Sequence, residues 1–193
     1  ALPVGASAAV EGPPESPETR SVMFVGNNWE GTADIVDART FERLARINTI
    51  PDKEERLAEI QRDPVRLAFF LAIRQAVGEG NDQFTDDMFT SHDGRFVYVS
   101  RPSFADVVGI SLETGQIVWR FPMEGQRSDH MTVSPDGTKL LVSDSTGNKV
   151  HELDIRTGQK TGEFDSGDSP HENNYTKDGR RVFHASIGRV YTP

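Results

Sequence analysis

The chain contains no cysteine. Disulfides, thiolate chemistry and cysteine-ligated zinc are therefore excluded. It also lacks any apolar run of the ~18 residues that a membrane-spanning helix requires. Positive charge is scarce: 21 Lys and Arg face 30 Asp and Glu, a formal net charge of −9. A polyanion such as nucleic acid would be repelled. There is no His-Glu-x-x-His, no EF-hand loop and no phosphate-cradling glycine loop. What is there is a 193-residue chain with 35% apolar and 26% charged residues and a mean hydropathy of −0.52. That composition suits a soluble, β-rich unit of one large or two small domains.

Residues 1–20 are rich in Ala, Gly, Pro, Ser and Glu and show no apolar periodicity. They read as a flexible leader. It is either what signal-peptide removal leaves, which points to a secreted or periplasmic protein, or an ordinary tail.

Residues 21–193 repeat. Ser91-His92-Asp93-Gly94, Ser134-Pro135-Asp136-Gly137 and Thr176-Lys177-Asp178-Gly179 each lead into a short β-prone run, and their aspartates lie 43 and 42 residues apart. Glu113-Thr114-Gly115-Gln116 recurs 43 residues later as Arg156-Thr157-Gly158-Gln159. Asp-Gly makes a tight turn because Gly accepts positive φ and Asp bonds nearby backbone. A period of 42 to 43 with such turns marks a four-stranded propeller blade. The fold class is thus all-β, a β-propeller, with seven blades expected when complete and about half of them here. Strands B–D of one blade fall at 21–48, whole blades at 84–122 and 127–166, and a half blade at 169–193. The remaining blades are expected on another segment or fragment, which would also supply the first unit's strand A. A 31-residue excess interrupts the repeat. It reads as a two-helix insertion at 51–79, broken near Asp63-Pro64, with Pro51 in a first helical turn and Gly78 as a stop.

The register turns positions into places. The Asp-Gly turns mark one rim, so residues before strand A and after strand B share the other, around the central channel. Before strand A stand Asp86-Asp87, Asp129-His130 and His171-Glu172. After strand B stand Asn27, Arg101, Asp144 and Ser186. Asn28, Trp29, Arg127, Asn173, Asn174, Arg189 and Tyr191 are close in sequence. Such convergence of imidazole, carboxylate, guanidinium and aromatic groups is a default site. The plainer readings stand beside it. His130 and His171 can cap strand ends, His184 can be a satisfied core histidine, Asp129 and Asp144 can form turns, and Trp29 can pack a loop. Asp129 and Asp144 are the candidate metal ligands, for a calcium ion in the channel; a set of His130, His171 and His184 is a second geometric option.

Val133-Ser134-Pro135-Asp136-Gly137, with Leu140 to Ser143 after it and Ser169-Pro170-His171 before the next strand, resembles the YVTN-type propellers. Asn27 falls on that family's final Asn and His171 on its His, whereas Glu172 stands where it has Gly. The resemblance covers about residues 21 to 192 outside the insertion. It implies fold but little function, since members include binding proteins, surface-layer proteins, lactonase-like enzymes and relatives of quinone- or haem-bearing propellers. The segment from His171 to Ser186 also resembles, in residue type and location, secreted propeller polysaccharide lyases that act at rhamnose–glucuronate linkages.

The leading expectation is a lyase acting on a uronate-containing glycan. His130 and His171 would be base and acid, with His184 or Tyr191 in reserve. Arg101, Arg127 or Arg189 would grip the carboxylate. Asn27, Asn28, Asn173 and Asn174 would bond hydroxyls, and Trp29 would stack on a sugar. The alternatives are a propeller that binds a protein or peptide on this rim, and a lactonase-like or redox propeller.

Overall fold

The computed structural model describes residues 20–188. Residues 1–19 of the expected leader, and the candidate residues Arg189 and Tyr191, lie outside the described residues. Four antiparallel sheets follow one another along the chain. The first holds β1 (Val22–Asn27), β2 (Thr32–Asp37) and β3 (Arg43–Asn48). The second holds β4 (Met88–Thr90), β5 (Phe96–Arg101), β6 (Asp106–Ser111) and β7 (Ile117–Pro122). The third holds β8 (Ser128–Val133), β9 (Lys139–Asp144), β10 (Lys149–Asp154) and β11 (Lys160–Asp165). The last holds β12 (Pro170–Tyr175) and β13 (Val182–Ser186). Within each sheet every strand pairs with its neighbours in sequence, so each blade is a meander.

The turns explain the register. In the three Asp-Gly turns the aspartate accepts the hydroxyl of Ser91, Ser134 or Thr176, at 2.5, 2.6 and 2.5 Å. The glycines that follow have φ near +70°, which costs glycine no Cβ clash. At the third turn of each blade, Gly115 and Gly158 sit in the same left-handed region, but the first blade places Phe41 there, with φ +61°.

Packing between blades fills the core. β5 is buried on both faces. Val97 and Val99 point with Val108 and Ile110 towards Phe24 and Ile47 of the first blade. Tyr98 points the other way and joins Trp119, Met131, Leu140 and Val142 between the second and third blades. Successive strand residues alternate faces, so one strand serves two interfaces.

The insertion forms α1 (Lys53–Arg62) and α2 (Pro64–Ala76). Asp63 caps α2 by accepting the N–H groups of Val65 and Arg66, and Pro64 suits the first position because its missing N–H has no partner there anyway. Pro51 does not enter a first turn: α1 begins at Lys53, and Asp52 turns its carboxylate to the side chains of Arg101 and Arg56 instead of to the helix's backbone N–H groups. Both helices pack on the 3-10 turn at Pro102–Phe104, burying Ile60 and Phe70 against Phe84 and Phe104. Among the described residues no helix is long and apolar enough to cross a membrane.

Candidate functional site

The innermost strands of three successive blades deliver the site. β8 brings Asp129 and His130, β12 brings His171 and Glu172, and the segment entering β4 brings Asp86 and Asp87. Consecutive residues of a regular strand point to opposite faces. Here the pairing shifts between Ser128 and Met131 in β8, and between Pro170 and Glu172 in β12. Such bulges re-aim side chains at the ends of strands. Asp129 and His130 thereby both reach His171.

The imidazoles of His130 and His171 lie 4.1 Å apart, centre to centre. His130 Nδ1 is 2.7 Å from Glu172 Oε2 and 3.9 Å from Asp87 Oδ2. Its Nε2 is 3.9 Å from Asp129 Oδ1. His171 Nδ1 is 3.4 Å from Asp129 Oδ2, and this buried nitrogen has no hydrogen-bond partner. Asp129 is itself buried, and its Oδ2 accepts from Arg127 Nη1 at 3.1 Å and Ser145 Oγ at 3.0 Å. Arg127 is further held by Gln83 Oε1 at 2.9 Å.

The field of the site follows from its charges. Burial opposes a proton on His130, but the Glu172 bond and the carboxylates of Asp87, Asp86 and Asp129 outweigh it and raise its pKa. Burial raises the pKa of Asp86 and of Asp87, with neighbouring carboxylates adding to it. Groups in this state take up and release protons closer to neutral pH than free carboxylates do.

Other expected site residues are placed differently. Arg101 is fully buried and leaves the site: Nε and Nη2 clasp Asp106 at 2.7 and 2.8 Å, and Nη1 reaches Asp52 at 2.5 Å. A guanidinium so engaged has no donor facing the channel mouth. Asp144 is also fully buried; it accepts the N–H groups of Gly125 and Gly147 at 2.6 and 2.8 Å and faces His151 Nε2 at 3.5 Å. It organises loops rather than presenting oxygens to a channel ion. His184 bonds Asn173 Oδ1 at 2.8 Å and Ser166 Oγ at 2.6 Å, and burial lowers its pKa. It is a satisfied histidine between blades, so the three-histidine set does not assemble. Asn173 is buried beneath it and bonds Ser143.

Asn27 is tied to Thr32 and Asp34, and Asn28 to the backbone of Thr85. Trp29 beside them is 55% exposed and forms an open shelf. Asn174 is exposed and bonds Glu172. The repeat register places Asp86, Asp87 and Glu172 on this rim, and the structure sets all three around His130. Gln83 and Ser145 carried no signal in sequence, since their partners are distant.

On the opposite rim a groove of about 610 Å³ is lined by His92, Asp93, Arg95, Tyr98, Trp119 and Arg156 among others. Its charged groups are exposed turn residues. At the channel mouth, by contrast, the carboxylates are partly buried and crowd one another.

No protein-family model matches the chain, and no curated protein matches it. Among solved structures, it is similar to hydrazine synthase of Kuenenia stuttgartiensis, with a TM-score of 0.62 and 16% identity over 95% of this chain. The chain is part of a β-propeller. It spans 47% of that neighbour's chain. A putative 6-phosphogluconolactonase of Bacteroides fragilis is similar over 52% of this chain and 31% of its own, at 21% identity and a TM-score of 0.45.

Proposed function

We propose that the channel-mouth cluster is the catalytic centre of an extracytoplasmic lyase that cleaves a uronate-containing glycan by β-elimination. One observation carries this reading: two histidines and four carboxylates from three successive blades converge on one rim. The neighbours' likeness supports the fold alone.

β-Elimination neutralises a carboxylate, removes the proton α to it and breaks the C–O bond β to it. The electron pair of the broken C–H bond becomes the new double bond, and the leaving oxygen takes a proton. With Arg101 spent and Arg127 shared between Asp129 and Gln83, His130, whose pKa the surrounding carboxylates raise, is the group suited to face the substrate carboxylate. Asp86 and Asp87, whose carboxyls burial pushes upward, are the groups suited to move the proton. The exposed ring of Trp29 suits stacking on a sugar.

A full-length protein carrying both His130→Ala and His171→Ala tests the reading. On a uronate polysaccharide that the wild type cleaves, its rate is expected to fall at least ~100-fold. An unchanged rate overturns the assignment. Undiminished glycan or peptide binding without any cleavage would make the rim a recognition surface.

A further inference from the structure

We propose that Asp129, His130 and His171 bind one divalent transition-metal ion of the zinc, cobalt or nickel class. This inference stands on geometry and does not rest on the uronate reading. One ligand atom from each of the three residues lies within 4.8 Å of the others. Atoms bound tetrahedrally at about 2.0–2.1 Å from one ion lie about 3.3 Å apart. The 3.4 Å from His171 Nδ1 runs to Asp129 Oδ2 and the 3.9 Å from His130 Nε2 to Asp129 Oδ1, so the two imidazoles face the two oxygens of one carboxylate, and closing on an ion shortens donor separations by up to about 1.5 Å.

Three further features fit a ligand set better than a plain polar cluster. First, His130 Nδ1 faces the Glu172 carboxylate at 2.7 Å. Donation there fixes the proton on Nδ1 and leaves the Nε2 lone pair aimed at Asp129. Metal-bound histidines are held in this way by a carboxylate behind them. Second, His171 Nδ1 is buried with no hydrogen-bond partner. A buried polar atom without a partner is costly, and an ion would offset that cost. Third, Arg127 reaches Asp129 only through Oδ2, so Oδ1 remains directed to His130.

A second group, Glu124, His151 and Glu163, also has ligand-like spacing. There, Lys160 binds both glutamates and Lys149 binds Glu163 at 2.5 Å. An ion would have to displace two ammonium groups. At the channel mouth a single cation, Arg127, touches the set, and it does so at Asp129 Oδ2, leaving Oδ1 to an ion.

Donor chemistry sets the metal class. Calcium takes about six to eight oxygen ligands. Two imidazole nitrogens and one carboxylate suit zinc-class ions and leave a position open for substrate or water. This replaces the calcium expected from Asp129 and Asp144, because Asp144 is turned to its own loop.

The test titrates chelator-stripped full-length protein with Zn²⁺ by calorimetry, and with Co²⁺ followed by its visible absorption. One ion at this site, whose affinity falls at least ~10-fold in His171→Ala and ~10- to 100-fold in Glu172→Gln, is expected. The four-coordinate cobalt band should be lost in His171→Ala. Glu163→Gln should change neither signal. His171 and Glu172 are both partly exposed, and circular dichroism confirms that the variants are folded. No zinc binding, binding indifferent to both channel-mouth variants, or binding lost in Glu163→Gln overturns the proposal. A protein that binds zinc as described and cleaves no uronate retains this site and loses only the lyase reading.

Discussion

Arg101→Met is expected to destabilise the protein by about 3–5 kcal/mol, the cost of removing one member of a buried ion pair. Each carboxylate keeps a second cation, which places the loss towards the low end of that range. Asp106 is fully buried and would keep Arg120 as its remaining cation, at 2.5 Å. Asp52 would keep Arg56, at 3.1 Å. Methionine occupies much of the space of the arginine stem, so the loss is mainly charge pairing rather than packing. Asp52→Asn removes a partner that is only partly buried and costs less, about 1.5–3 kcal/mol. Urea unfolding of the full-length variants, followed by tryptophan fluorescence, gives both values. An Arg101→Met variant within ~1 kcal/mol of wild type would match an exposed pair and refute the buried-clasp reasoning. A raised KM with unchanged stability would return Arg101 to substrate binding.

The same clasp sets a pH dependence. Burial alone would raise the Asp52 pKa, but the Arg101 bonds and the charges of Arg101 and Arg56 lower it below 3.8. Its contribution to stability is therefore complete above 3.8 and is lost as pH falls through the folded value; acid unfolding of Asp52→Asn should show a shallower dependence over that window. Phe41→Gly should stabilise by about 1 kcal/mol, because a bulky residue at φ +61° is strained and this one is 71% exposed; a lower melting temperature would contradict that. Gly158→Ala should cost about 2–3 kcal/mol, since a Cβ there would lie 2.4 Å from the Trp119 ring and hold a left-handed backbone. A neutral result by thermal melting would mean that Trp119 moves freely.

The repeat made the fold legible. Turn chemistry at Asp93, Asp136 and Asp178 is local, so it can be read from adjacent residues, and it fixed which residues share a rim. The columns Asp86-Asp87, Asp129-His130 and His171-Glu172 come from the same logic, although only Asp86-Asp87 precede their strand: the other two pairs lie within β8 and β12, which start earlier than the turn spacing suggests. What could not be read depends on contacts far apart in sequence. Arg101 looked free until the insertion brought Asp52 against it, 49 residues away. Glu172 looked like a departure from a family glycine until it met His130 across a blade boundary, 42 residues away. The bulges that turn Asp129 and His130 towards one partner leave no composition signal, because they depend on pairing with β9. His184 was ambiguous because its value turns on whether Asn173 and Ser166 satisfy it, and both do.

The most direct measurement of the central claim is a far-ultraviolet absorbance scan of the full-length protein, supplied with Zn²⁺, against a panel of uronate-bearing polysaccharides. A rise in the band of a conjugated unsaturated uronate is the predicted result, since it reports the double bond that β-elimination leaves. No rise on any polysaccharide, from protein shown to be folded, would contradict the lyase account.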